Sequence, residues 1–325
     1  MCGAILSACH CEPATHSSSE GVAVDVVEKK VGDLIEGYRI LRLVGKGAAS
    51  IIYLVQDPKT KQIWALKHVE KETAKDQRFL DQAESEYRIA SELNHPSIRK
   101  IDRLIKKKSS LLSTKELYLV MEYVDGISED RQQPRTFERA VEVFYQVARG
   151  MQHMHERGFV HADMKPHNIM VSNGQAKIID LGQSCKIGTI KERIQGTPDY
   201  IAPEQVHRRA ITPQTDVYNL GATMYWTLTR HHIPTALAKD DSLVGSLDDH
   251  LIEKPRPAIE LNPRIHPKLN DLIMQCVEVD PEKRPESMAL VADKLNLILG
   301  ILRASRNSES GGPLPQPRPP EPGTK

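Results

Sequence analysis

The hydrophobic pattern of this chain changes period part-way along, and that change limits what it can fold into. Residues 38–70 (YRILRLVGKGAASIIYLVQDPKTKQIWALKHVE) carry short β-branched and aromatic runs separated by glycines and by DPKTK, the pattern of strands joined by tight turns. A single helical stretch follows, KDQRFLDQAESEYRIASEL, with Phe79, Ala83, Tyr87 and Ala90 at helical spacing. The breaker Asn94-His95-Pro96 then leads into two more strand-like runs ending in ELYLVMEYV. From about residue 135 the period is helical, and Phe144, Val147, Ala148, Met151 and Met154 fall on one face of FERAVEVFYQVARGMQHMHERG. The expectation is an α+β chain in two lobes, a small antiparallel sheet with one main helix followed by a larger helical lobe. They divide near Asp125-Gly126, and a cleft between two such units is a usual place for a cofactor.

The two ends read differently. Residues 1–32 form a polar leader and residues 304–325 a tail rich in Pro, Gly, Ser and charge; both are expected to be disordered. The lobes then occupy 33–124 and 125–303. Cys9-His10-Cys11 with His16 offers metal-binding side chains without the spacing of a structural zinc site, and LSAC loosely matches a lipid-attachment site without the positive and apolar segments that precede one. PLPQPRPP is a candidate extended ligand for a polyproline-binding partner. Five cysteines, three of them in the first eleven residues, do not make a disulfide framework. No apolar run reaches the roughly 18–20 residues of a membrane span, so the reading is of a cytoplasmic chain. With 44 Lys plus Arg against 43 Asp plus Glu, the net charge of +1 gives no reason to propose a nucleic acid partner. Lys106-Lys107-Lys108 reads as a solvated turn between strands.

Three groups of residues carry chemistry. The turn Val44-Gly45-Lys46-Gly47-Ala48-Ala49-Ser50-Ile51-Ile52 brings backbone amides toward a phosphate, and its spacing suits a hairpin. Fifteen residues beyond Ile52, Lys67 sits in the apolar strand IWALKHV and needs an anionic partner. The following helix supplies Glu84 and Glu86, of which Glu86 is the better placed. Most specific is His161-Ala162-Asp163-Met164-Lys165-Pro166-His167-Asn168, followed twelve residues after Asn168 by Asp180-Leu181-Gly182. Two carboxylates, an amide and a lysine within twenty residues are what phosphoryl transfer needs.

From about residue 38 to 298 the sequence resembles the eukaryotic-type serine/threonine protein kinases, including their soluble bacterial members. HADMKPHN stands where that family has H-R-D-L-K-x-x-N, and DLG where it has D-F-G. GTPDYIAPE, TDVYNLG and DPEKRP resemble its later motifs. The resemblance implies the bilobal protein-kinase fold and transfer of the γ-phosphoryl group of ATP, with Mg2+ or with Mn2+ in its place, to Ser/Thr hydroxyls of protein substrates. It assigns catalytic roles to Asp163 as base, Lys165, Thr197, Lys67 and Glu86, and the metal to Asn168 and Asp180. The nucleotide falls to Val44, Gly45, Lys46, Gly47, Ser50, Ile52, Ala65, Lys67, Met121, Glu122 and Val124, with the Glu122 and Val124 backbone hydrogen-bonding the base. Glu204 with Arg284, and Asp216 against the catalytic loop, are implied structural anchors.

The sequence departs from the family pattern at Ala162, where many members have an arginine that grips a phosphorylated loop. Ser184, Thr189 and Thr197 are the only Ser or Thr between Asp180 and Glu204, and loop phosphorylation is expected to be unnecessary. Two other readings compete, a kinase-shaped binding module without turnover and a small-molecule phosphotransferase; the latter normally lacks a segment like GTPDYIAPE.

Overall fold

The computed structural model describes residues 28–47, 49–108, 114–132, 134, 136–237 and 252–310. The Cys9-His10-Cys11 cluster, LSAC and PLPQPRPP lie outside these residues. Among them no helix is long and apolar enough to cross a membrane.

Six strands form one antiparallel sheet: β1 (Leu34–Ile35), β2 (Tyr38–Gly47), β3 (Ser50–Gln56), β4 (Ile63–Glu70), β5 (Ile101–Lys108) and β6 (Thr114–Glu122), in the order β1-β2-β3-β4-β6-β5. DPKTK makes the β3–β4 turn, where Asp57 Oδ1 accepts hydrogen bonds from the Lys59 and Thr60 amides at 2.8 and 3.2 Å. Alternation along the strands gives the sheet two different faces. One buries Ile35, Tyr38, Ile40, Ile51, Tyr53, Val55, Leu66, Tyr118 and Val120 in a small core of their own. The other puts Ala65, Val69, Leu117, Leu119 and Met121 into the main core with helix α1 (Gln77–Ser91) and the helical half of the chain.

Helix α1 turns a slightly different stripe inward from the one expected: Leu80, Ala83, Glu86, Ile89 and Ala90 are buried, while Phe79 and Tyr87 are partly buried at its edge. The buried carboxylate broke the apolar pattern in the sequence. The Lys106-Lys107-Lys108 run is not a turn but the end of β5. Lys106 pairs with Glu84 at 2.8 Å and Lys107 with Glu36 at 2.5 Å, so its charge is matched by distant carboxylates.

The second half is built on α2 (Phe137–His155), capped by the Thr136 side chain accepting from the Arg139 amide at 3.1 Å. Its expected face, Phe144, Val147, Ala148, Met151 and Met154, is fully buried. Short strands surround the site: β7 (Ile127–Ser128), β8 (Phe159–Val160), β9 (Ile169–Ser172), β10 (Gln175–Ile178) and β11 (Cys185–Lys186). Strands of two to four residues are too short to register as a period. Four helices complete the half after the one-turn helix α3 (Pro203–Val206): α4 (Pro213–Thr229), α5 (Ala258–Leu261), α6 (Pro267–Cys276) and α7 (Met288–Ser310). Helix α4 is buried on nearly every side from Thr215 to Thr229, as a helix at the centre of a lobe must be. Its Gly221 lets α6 close in; a Cβ there would lie 2.6 Å from Cys276 Cβ. Gly126, at the expected lobe boundary, likewise lies where a Cβ would meet the Val171 carbonyl oxygen at 2.5 Å.

Both expected ends shift. Residues 28–32 are tied down rather than free, with the Lys29 amide donating to Tyr53 Oη at 3.0 Å and the Gly32 amide to the Ile40 carbonyl at 2.9 Å. Helix α7 runs past residue 304 to Ser310, held to α2 by Arg303 and Arg306 on Glu138 and by Arg303 on Glu142.

Candidate active site

The inner sheet face forms one wall of the site. Pairing aligns Gly45 with Ile52, Ile52 with Lys67 and Lys67 with Leu119, and aligns Ala65 with Met121. Ile52, Ala65, Lys67 and Met121 therefore share one side of the sheet. Val44 is exposed in β2, and Gly47 faces Ser50 across the hairpin. Lys46 pairs with Glu28 at 2.6 Å. Glu122 ends β6, where its side chain pairs with Lys177 at 2.8 Å and its amide donates to the Lys100 carbonyl at 2.9 Å. That commitment leaves the Glu122 carbonyl, not its N–H, to meet a ligand. Val124 is buried two residues on, its carbonyl accepting from the Gly126 amide.

Lys67 Nζ donates to Glu86 Oε2 at 2.7 Å, closing β4 against α1. Burial alone would depress the Lys67 ammonium, but Glu86 and then Asp180 hold it above its ordinary value. Glu86 Oε1 is buried without a hydrogen-bond partner.

The opposite wall is the loop after β8. Asp216, at the start of α4, accepts from the His161 amide on Oδ2 and from the Ala162 amide on Oδ1, both at 2.8 Å. His155 Nε2 lies 2.8 Å from the same Oδ2. Burial opposes ionisation of Asp216, yet these partners keep its carboxyl below the ordinary range. Ala162 has φ 61°, a left-handed conformation unusual for a residue with a side chain. Gln205 Nε2 holds its carbonyl at 2.8 Å. His161 Nδ1 accepts from the Asp163 amide at 3.2 Å, so Nε2 carries the proton donated to the Asp180 carbonyl at 2.7 Å.

Asp163 is thereby turned toward Thr197. Its Oδ1 accepts from the Thr197 amide at 2.9 Å and from Thr197 Oγ1 at 2.8 Å. Lys165 Nζ donates to Thr197 Oγ1 at 2.7 Å and stands 3.0 Å from Asp163 Oδ2. Asn168 Nδ2 donates to the Asp163 carbonyl at 2.9 Å, which leaves its Oδ1 as the acceptor end of the amide.

Asp180 Oδ1 accepts from the Gly182 amide at 2.9 Å. Burial would raise this carboxyl, but Lys67, the Gly182 amide and Arg99 together keep it below the usual range. Among the described residues no group of three or more His, Cys, Asp and Glu side chains is placed to hold a metal ion alone. One ionised carboxylate and one amide oxygen instead match a hard cation that takes its remaining oxygens from phosphates and water, as Mg2+ does.

Sequence reasoning missed Gln205 and Arg99. Arg99 follows the breaker Asn94-His95-Pro96, and its amide donates to the Ile178 carbonyl at 2.9 Å, two residues before Asp180. Its guanidinium is lowered chiefly by burial and raised by Glu86, Asp180 and Glu122, which makes it a second cation beside Lys67. Nothing in the local sequence marks either residue; both acquire partners only through tertiary packing. Beneath the site, Arg284 Nη1 and Nη2 reach the two Glu204 oxygens at 2.8 and 3.0 Å in a buried bidentate pair.

Comparison with known proteins gives a consistent picture. Residues 38–295 match the protein kinase domain model. The chain is 28% identical over 294 residues to the serine/threonine-protein kinase PknD of Chlamydia pneumoniae, covering 78% of this chain and 30% of that protein. It is 28% identical over 267 residues to PknB of Mycobacterium tuberculosis strain H37Rv, covering 79% and 42%. With PrkC of Bacillus subtilis it shares 29% over 285 residues, covering 82% and 42%. The chain thus spans less than half the length of these curated relatives. With a family model matched over most of its length, and with its sheet and helices arranged as described, this chain belongs to the protein kinase family.

Proposed function

We propose that the chain is a serine/threonine protein kinase that transfers the γ-phosphoryl group of ATP to Ser/Thr hydroxyls of protein substrates. The observation that carries this reading is the setting of Asp163. Its Oδ1 is occupied by two hydrogen bonds from Thr197, so Oδ2, beside Lys165, is the oxygen left to orient an acceptor hydroxyl. In the reaction the acceptor oxygen bonds to the γ-phosphorus and the bond to the β–γ bridging oxygen breaks. ADP leaves, and the hydroxyl proton passes to Asp163. Lys165 balances charge on the moving phosphoryl group. Lys67, aimed by Glu86, holds the remaining phosphates.

The nucleotide lies against Val44, Gly45, Lys46, Gly47, Ser50, Ile52 and Ala65, with Met121 at the back and the Glu122 carbonyl and Val124 backbone for the base. Asn168 and Asp180 would hold Mg2+, or Mn2+ in its place, which when bound would neutralise phosphate charge. On this reading 33–124 and 125–303 act as the two lobes of a cytoplasmic enzyme.

The test is ATP turnover on a generic protein substrate, with phosphoamino-acid analysis, for wild type and Asp163→Asn. Turnover in wild type with phosphoserine or phosphothreonine as product, lowered at least 100-fold in the variant, is expected. Equal inactivity of the two proteins while both bind ATP would make the chain a binding module.

A further inference from the structure

The segment from Asp180 to Glu204 is fastened to the rest of the chain along its length. Cys185–Lys186 pair with Phe159–Val160. The Gly188 amide donates to the Ile211 carbonyl at 2.8 Å, and the Ile211 amide to the Thr189 carbonyl at 2.9 Å. Arg208 Nη1 reaches the Glu192 carbonyl at 3.3 Å, and Gln205 Nε2 the Gln195 carbonyl at 3.2 Å. These contacts hold the middle and the far end. One more contact ties the middle back to the near end: Lys191 Nζ donates to the Gln183 carbonyl at 2.6 Å and lies 3.5 Å from Gln183 Oε1.

The position of that lysine has a chemical meaning. Gln183 is three residues beyond Asp180, and Lys191 is six before Thr197, so the bond links the turn after Asp180 to the irregular stretch that leads to Thr197. Ala162 brings only a methyl group here, packed with Val160 and Ile211 and against Cys185. The catalytic loop's own cation beside the catalytic aspartate is Lys165, engaged with Asp163 Oδ2 and Thr197 Oγ1, and position 162 adds no second one. Lys191 supplies one from the segment itself, facing Asp163 from the catalytic loop and Cys185 from β11. Burial disfavours its charge and depresses the ammonium, with both neighbours pulling the other way; the Cys185 thiol is itself pushed up by burial.

We propose that Lys191 is a positioning residue for phosphoryl transfer: clamped on the Gln183 carbonyl, it holds the segment in the shape that presents Thr197 to Asp163, with no phosphate on the segment required. The proposal rests on the kinase reading. Activity of the wild type is measured first, so that an inactive wild type counts against that reading and not against the clamp.

In an active protein, Lys191→Met is expected to lower kcat about tenfold or more while KM for ATP stays within about twofold, because the displaced group is Thr197 and not the nucleotide wall. Lys191→Arg is expected to restore most of the rate. Dephosphorylated Ser184→Ala/Thr189→Ala protein is expected to stay within about threefold of wild type. Since an arginine does not deprotonate in the accessible range, the alkaline fall of kcat expected for wild type should move to higher pH in Lys191→Arg. It should remain in place in Cys185→Ser. A Lys191→Met protein with wild-type kcat would overturn the proposal, as would a folded Ser184→Ala/Thr189→Ala protein without activity. If Lys191→Met does not fold, the pH profile of Lys191→Arg decides: an alkaline limb unchanged from wild type rejects the clamp.

Discussion

Lys67 and Glu86 face each other at 2.7 Å between β4 and α1, and the pair uses only one of the two Glu86 oxygens. The glutamate is almost fully buried, and its second oxygen is unmatched. A buried pair of this kind sets the geometry of a site more than it stabilises a fold, since desolvating both charges offsets their attraction.

Removing one partner should accordingly cost more stability than removing both. Glu86→Leu takes the hydrogen-bonded partner from the buried Lys67 ammonium, leaving Asp180 as its remaining carboxylate, and should destabilise the fold by about 3 kcal/mol. The double variant Lys67→Met/Glu86→Leu should recover most of that loss in thermal unfolding while remaining inactive in ATP turnover. A double variant no more stable than Glu86→Leu would show that the pair itself stabilises the fold.

The Glu204–Arg284 pair lies under the site and makes no contact with Asp163, Lys165 or Lys67. Arg284 also donates to the carbonyls of Glu278, Gln214 and Val279 at 2.7, 2.8 and 2.9 Å. Glu204→Gln should cost about 3–5 kcal/mol in urea unfolding. At denaturant-free temperatures where the protein is still folded, KM for ATP should be unchanged.

His68 offers a pH test of the sheet. It is buried, stacked on Tyr118 with ring centroids 4.5 Å apart, and 3.2 Å from Glu116 Oε2. Burial lowers its affinity for a proton, and the nearby Glu116 and Glu70 only partly oppose this. The unfolded chain takes up the proton at its ordinary pKa of 6.5, before the fold does. Stability from neutral His68 is therefore complete above pH 6.5 and is lost as pH falls toward the lower folded value. His68→Phe keeps a ring on Tyr118 and should flatten the unfolding temperature between about pH 6.5 and 5 relative to wild type.

Arg99 places positive charge near Asp180 and should work against a divalent cation there. Arg99→Leu should lower the Mg2+ concentration for half-maximal stabilisation against heat, measured with an ATP analogue that is not hydrolysed, by about twofold or more. A rise instead would mean that the guanidinium assists the phosphates.

What could be read in the sequence divides by range. Asp163, Lys165 and Asn168 lie within six residues, so a short loop brings them together and their spacing alone carries the signal. The Lys67–Glu86 pair was legible because an apolar strand cannot hold an unpaired ammonium. Lys106-Lys107-Lys108 was misread because consecutive lysines hide the strand alternation, and their partners Glu84 and Glu36 come from elsewhere in the chain. Gln205 was invisible for the same reason: a glutamine after a Pro-Glu pair says nothing of the Ala162 carbonyl that it holds.

Ala162 keeps its left-handed backbone against a preference of about 1–2 kcal/mol for ordinary geometry. Asp216 and Gln205 impose that conformation from α4 and α3. A peptide spanning 159–168, cut from the chain, would therefore relax and lose the aim of Asp163. Catalytic competence should respond to loosening of α4 earlier than any global spectroscopic signal does, which makes the rate of turnover a local thermometer of the helical half.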